Sequence, residues 1–190
     1  MNHETTKPVR NGLVASPMTF AIIALNILVF GLLNRFPQLA DQLLVNPDLG
    51  FGEKGWTLVT VFFSQEHPVH LIVNMGLFYL AGSALERLVG WKYLVLTYLL
   101  CGFAGSVTLR PFAAFIGWSG GLIPGASAAA FGVTAAFAVL QPKSKLAGTP
   151  ARQFALALFV VNAVIFLFNP GMSVGAAAHA VGMLVGLETC

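Results

Sequence analysis

Charge is what this 190-residue chain has least of: Asp, Glu, Lys and Arg make up only 9% of it. A soluble domain carries about 25%. With 57% hydrophobic residues beside so little charge, the chain reads as a membrane protein. It holds two cysteines, Cys101 in an apolar run and Cys190 at the last position. That excludes a disulfide framework and leaves each as a small apolar residue or a free thiol. Lys/Arg-rich runs are missing and the net charge is only +3, so no nucleic-acid partner is expected. No small-residue cleavage pattern closes the first apolar run. Lys7 and Arg10 precede it, as in a signal peptide, but Asn34-Arg35-Phe36 follows it, and a retained helix is expected. Linkers and internal repeats are also lacking, which leaves one domain across residues 1–190.

What is abundant is Gly (20) and Phe (16), both suited to helices packed in lipid. A spanning helix needs roughly 17 to 25 residues, and six candidates are found. They run from about Pro17 to Leu33, Val69 to Leu88, Lys92 to Leu109, Gly125 to Leu140, Ala151 to Phe168, and Val174 to the chain end. The third is expected to stop before Arg110-Pro111, because proline cannot continue the hydrogen-bond ladder. The expected fold is an all-α membrane protein, a six-transmembrane-helix bundle. Residues 1–16 form a tail. Residues 34–68 form a long, semi-polar first loop, structured at the interface. The Gly- and aromatic-rich stretch from Pro111 to Pro124 is expected at the membrane surface, shielded by protein.

Orientation follows from Lys and Arg. With the N-terminus cytoplasmic, Lys7, Arg10, Arg87, Lys92, Lys143, Lys145 and Arg152 lie inside, against Arg35, Lys54 and Arg110 outside. Asp41, Asp48, Glu53 and Glu66 then fall in the first outer loop. A cell inner membrane is the expected location.

Polar groups inside lipid are costly and mark function. The candidates are His70, Asn74, Ser127, Thr134 and His179, with no interior acid in any span. In the alternating topology, His70, Asn74, Ser127 and His179 all fall near the outward ends of their helices, at similar depth. His70 and Asn74 are four apart and share a face. His179, Gly182 and Gly186 form one stripe, and Ser127, Ala130 and Thr134 another, so the two helices are expected to approach closely. A serine hydroxyl becomes a nucleophile when a base takes its proton, and imidazole suits that role near neutral pH. The His70 ring, the Asn74 amide and the Ser127 backbone N–H are candidate donors to an oxyanion. Lacking an acid, the pair reads as a Ser–His dyad. Each residue also has a structural reading. His179 is then an intramembrane histidine bonded to a carbonyl, His70 a snorkelling interfacial residue, Asn74 helix–helix glue and Ser127 a helix cap. A metal site at His67, His70 and His179 lacks a Cys, Asp or Glu partner, and His67 reads as a loop residue.

From about Trp56 to Gly186 the chain resembles the rhomboid family of intramembrane serine proteases. His70-Leu71-Ile72-Val73-Asn74 resembles its HxxxN signature, and Glu86 with Gly90 the end of that helix. Gly125-Ala126-Ser127-Ala128, followed by Phe131-Gly132, resembles the nucleophile motif, and Ala178-His179-Ala180-Val181-Gly182 the base-carrying helix. The resemblance implies Ser127 as nucleophile, His179 as general base, and His70 and Asn74 as oxyanion donors, with Gly125 shaping the turn. It implies cleavage of single-pass membrane proteins near the outer face, with membrane lipids as surroundings and neither cofactor nor metal. Three departures stand out. Ala128 replaces the second glycine of GxSG. Gly117-Trp118-Ser119-Gly120 is a literal GxSG, but it lies in the Gly-rich loop and lacks the downstream Phe-Gly, so Ser127 is preferred. Thr57 follows Trp56 where the family often has Arg. Two other functions compete: a catalytically inactive rhomboid-like protein that binds membrane clients, and a small transporter, for which no repeat or broken-helix pair is present.

Overall fold

The computed structural model describes residues 16–49, 52–65, 67–169 and 173–189. Lys7, Arg10, Glu66, Cys190 and the tail before Ser16 lie outside them. Eight helices are present among the described residues: α1 Pro17–Arg35, α2 Ala40–Leu43, α3 Thr57–Thr60, α4 Pro68–Val89, α5 Trp91–Ile116, α6 Ser127–Leu140, α7 Ala151–Phe168 and α8 Ser173–Glu188. α1, α4, α5 and α7 are long and apolar enough to cross a membrane, whereas α6 and α8 are shorter apolar helices. Their ends obey local chemistry. Pro17 and Pro68 open α1 and α4 at positions whose N–H is not needed. Gly90, at φ 91°, turns α4 directly into α5.

α5 corrects one expectation. It does not stop at Leu109 but runs through Arg110 and Pro111 to Ile116, ending at a left-handed Gly117. Proline costs a single ladder bond, which neighbouring helices make tolerable in an apolar bundle. Arg110 is buried there and donates to the Glu53 carbonyl at 3.2 Å, tying α5 to the first loop. The loop before Ser127 is correspondingly shorter than expected.

α6 is the centre. Nearly all of its side chains are buried, and α4, α5, α7 and α8 all pack on it. Its 14 residues make about 21 Å at 1.5 Å per residue. That is shorter than a hydrocarbon layer of about 30 Å. α1 and α7 are peripheral. Their exposed residues, among them Leu25, Ile27, Leu28, Val160, Val164 and Leu167, are large and apolar, as a lipid-facing surface requires. Between α6 and α7 a two-stranded hairpin pairs β1 Lys145–Leu146 with β2 Thr149–Pro150. Its turn puts Ala147 and Gly148 at φ 48° and 83°, the signs a tight primed turn demands.

The first loop is structured and clamped to the bundle. Val45 pairs with Ile123 through two backbone bonds of 3.2 and 2.8 Å. Trp56 donates its indole N–H to the Gln42 carbonyl at 2.9 Å, so the loop is pinned although Thr57 stands beside that Trp. Ser106 and Tyr98 of α5 donate to the Leu58 and Phe62 carbonyls, both at 2.6 Å.

A second correction concerns acids. Glu86 lies within a span, buried near the C-terminal end of α4 and away from Ser127. Its carboxylate accepts the Met18 N–H at 2.9 Å and both the N–H and hydroxyl of Thr19 at 2.7 Å. It therefore caps the positive end of α1. Hydrogen bonds to a charged group are worth about 1.5–3 kcal/mol each. Glu86→Leu strands those donors and is expected to cost about 3 kcal/mol, read as a lowered unfolding midpoint in detergent. Asp41→Leu, which removes an exposed contact with Lys54, is expected to cost less than about 1 kcal/mol.

Candidate active site

Ser127 is the first residue of α6, and the turn before it is held rigidly. Gly125 donates its N–H to the Val61 carbonyl and the Ser64 hydroxyl, both at 3.3 Å, and Ala126 donates to the Ser64 carbonyl at 3.1 Å. The first loop thus fixes where α6 begins. Ser127 does not cap its helix, because Ala126 occupies that position. Its hydroxyl instead meets His179 Nε2 at 2.5 Å.

His179 sits in the second turn of α8. Its ring stacks on Phe131, with centroids 4.3 Å apart and planes 18° from parallel. Phe131 is one turn beyond Ser127 on α6, so one helix face supplies both the hydroxyl and the surface that holds the imidazole beside it. The helix approach that permits this comes from small residues. α6 and α8 touch backbone to backbone, and a Cβ on Gly182 or Gly186 would overlap the carbonyl of Ala128 or Gly132. The stripe facing α8 is therefore Ala128 and Gly132. Thr134, expected on that stripe, bonds back to the Ala130 carbonyl at 2.8 Å. The methyl of Ala128 lies where a side chain on Gly105 of α5 would stand. The residue that departs from GxSG is thus housed by a glycine on the neighbouring helix.

Ser127 and His179 open into a cavity of about 380 Å³, with His67 and His70 on one wall and Trp118, Leu122 and Ile165 among the others. His67 is the N-cap of α4, its Nδ1 accepting the His70 N–H at 3.2 Å. Among the described residues no group of three or more His, Cys, Asp or Glu is arranged to hold a metal. Asn74 is not part of the cavity wall. It is buried one turn deeper and donates to Gln65 Oε1 at 2.9 Å. Gln65 donates to Asn26 Oδ1 at 3.1 Å, and Asn26 donates to the Tyr98 hydroxyl at 3.3 Å. This buried chain ties α4, the first loop, α1 and α5 together beneath the site.

Two residues beside these had gone unremarked in the sequence, Asn26 and Asn162. Both are amides inside apolar helices, the same signal that singles out Asn74. Asn162 of α7 is buried, its Oδ1 lies 2.8 Å from His179 Nδ1, and its Nδ2 donates to the Ala176 carbonyl at 2.8 Å. Ser119 is exposed on the loop after α5 and lines a separate opening with Phe112, Phe115 and Phe166. Ser119→Ala is expected to change stability by no more than about 0.5 kcal/mol, read as an unfolding midpoint close to wild type, as a surface substitution outside the site does.

This helical membrane fold, with a serine and a histidine paired at the head of its central helix, matches a known class. Residues 52–189 match the Rhomboid domain, and the chain belongs to the rhomboid family. Over 137 residues it is 27% identical to a protein named Rhomboid-like protease 3 from Toxoplasma gondii, covering 70% of this chain and 49% of that one. The chain thus spans about half the length of that relative.

Proposed function

We propose that this protein is an intramembrane serine endopeptidase that hydrolyses peptide bonds of single-pass membrane proteins near the outer membrane face. In this reading α1, α4, α5 and α7 cross the membrane together with the shorter α6 and α8, with a cytoplasmic N-terminus in a cell inner membrane. The observation that carries it is the 2.5 Å contact between His179 Nε2 and Ser127 Oγ inside an open cavity.

Ser127 Oγ attacks the scissile carbonyl carbon as its proton passes to His179 Nε2. The oxyanion so formed lies at the N-terminus of α6, where the first-turn N–H groups precede the first ladder bond, Ala130 N–H to the Ala126 carbonyl. Those N–H groups and the helix dipole stabilise negative charge. The His70 ring adds a donor from the cavity wall. The further donor proposed is the Asn74 amide: it lies behind the cavity wall with one of its two N–H groups on Gln65, so donating to the oxyanion requires its side chain to turn toward Ser127. His179 then protonates the leaving amine. A water, deprotonated by His179, cleaves the acyl-serine ester and restores Ser127. Trp118, Leu122 and Ile165 give the cavity an apolar wall suited to an unwound transmembrane segment.

The test is cleavage of a single-pass substrate by the purified protein in proteoliposomes, with the products mapped by mass spectrometry. Cuts between small residues near one membrane face are expected. Failure on several substrates, together with no reaction with a fluorophosphonate, would favour the client-binding reading instead.

A further inference from the structure

We infer that Asn162 is a positioning residue that fixes the tautomer and orientation of His179, so that the serine–histidine pair works as the outer part of a Ser127–His179–Asn162 relay. This deepens the proposed function and rests on it in one respect: Nε2 of His179 is taken as the atom that accepts the Ser127 proton. The chain of inference starts at a carbonyl. The Ala176 oxygen can only accept a hydrogen bond, so the Asn162 group 2.8 Å from it is the NH2. That assignment turns Oδ1 of Asn162 toward His179. An amide oxygen also only accepts, so His179 Nδ1 must carry the proton it faces. In neutral imidazole a proton on Nδ1 leaves a lone pair on Nε2. Nε2 is the atom 2.5 Å from Ser127 Oγ. One backbone carbonyl thereby sets the tautomer a general base requires.

Asn162 is placed to do this and little else. α7 is apolar and peripheral, and only Ala151, Ala155 and Asn162 are buried along it. Ala155 and Asn162 are seven apart, on one stripe, so the amide is the polar group that this face turns inward. Phe131 controls the plane of the imidazole from the other side. Stacking alone permits a ring flip that puts Cδ2 and Cε1 where Nδ1 and Nε2 stand, and the bond from Nδ1 to Asn162 selects the orientation that leaves Nε2 facing Ser127. A carboxylate is not required, because an amide oxygen accepts the same bond.

A bridge that merely glued α7 to α8 would act through the amide N–H on Ala176. The positioning role acts through the amide oxygen, and two substitutions separate them. Asn162→Leu removes both bonds. Asn162→Asp keeps an oxygen for Nδ1–H and removes the donor to Ala176. Misplacing a reacting group by about 1 Å costs on the order of 10²-fold. Asn162→Leu is therefore expected to lower kcat about 10- to 100-fold with KM within about twofold, and Asn162→Asp to recover most of the loss. The same proteins labelled with 15N-histidine report the tautomer by NMR in detergent, with His179 assigned from the spectrum of His179→Ala. Wild type is expected to carry its proton on Nδ1, and Asn162→Leu to lose that preference. Equal kcat losses in the Leu and Asp variants, or a wild-type His179 protonated on Nε2 when neutral, would overturn the inference. Absence of both cleavage and fluorophosphonate labelling in wild type would overturn the proposed function instead, and the NMR result would still judge Asn162.

Discussion

Ser127→Ala and His179→Ala should each lower cleavage of a reconstituted transmembrane substrate by at least about 10³-fold, the scale on which a nucleophile–base unit fails when one member is lost. Both substitutions are small. Ser127 is the first residue of α6 and makes no cap bond, so alanine leaves the helix intact. His179 shares its ring with Phe131 and Asn162, and removing it leaves space beside the cavity rather than a clash. Unfolding midpoints are therefore expected to stay within a few degrees for Ser127→Ala and to fall moderately for His179→Ala, which separates lost chemistry from lost fold. The double variant should be no worse than either single one, because the two residues act as a unit. Independent, multiplying losses would mean that they do not share one proton transfer.

The second large effect concerns glycine. A Cβ at Gly182 or Gly186 of α8 would occupy the space of a carbonyl on α6. Backbone has no rotamer with which to yield, so the helices must separate. Gly182→Val is expected to cost about 3–5 kcal/mol, in the range of severe overpacking. Where the protein still assembles, activity should fall about 10²-fold, because the same helix pair sets the Ser127–His179 distance. Gly76→Ala is the control. Its Cβ meets nothing within 4 Å, and alanine in a helix is favoured by about 1 kcal/mol over glycine. Stability unchanged or raised there, and lost at Gly182, would locate the effect in the α6–α8 contact rather than in glycine chemistry at large.

Much of this was legible in residue order. α4 and α7 are bounded by prolines and by the ends of apolar runs, and the expected limits agree with the structure within one residue at each end, α7 at both ends without shift. Depth counting pointed to Ser127, His179 and His70, which line one cavity. Asn74 shares the face of His70, yet its amide turns to Gln65, a loop residue whose partner no helical spacing could reveal. The end of α5 was missed because the rule that proline stops a helix assumes water as the alternative partner. In an apolar bundle the helix is the least costly place for the remaining N–H groups, and it continues through Pro111. Glu86 was expected only as the end of its helix, because its partners belong to α1, a contact between segments far apart in sequence. Asn162 carried a readable signal, an amide in an otherwise apolar helix. Its partner became visible only when α7 and α8 were packed together.

The most direct test is to treat the purified, reconstituted protein with a fluorophosphonate and locate the adduct by peptide mass spectrometry. The adduct is expected on Ser127, absent from Ser119, and lost in His179→Ala, because the hydroxyl reacts only when Nε2 takes its proton. An adduct on Ser119, or labelling of Ser127 that survives His179→Ala undiminished, would contradict a Ser127–His179 pair as the nucleophilic centre.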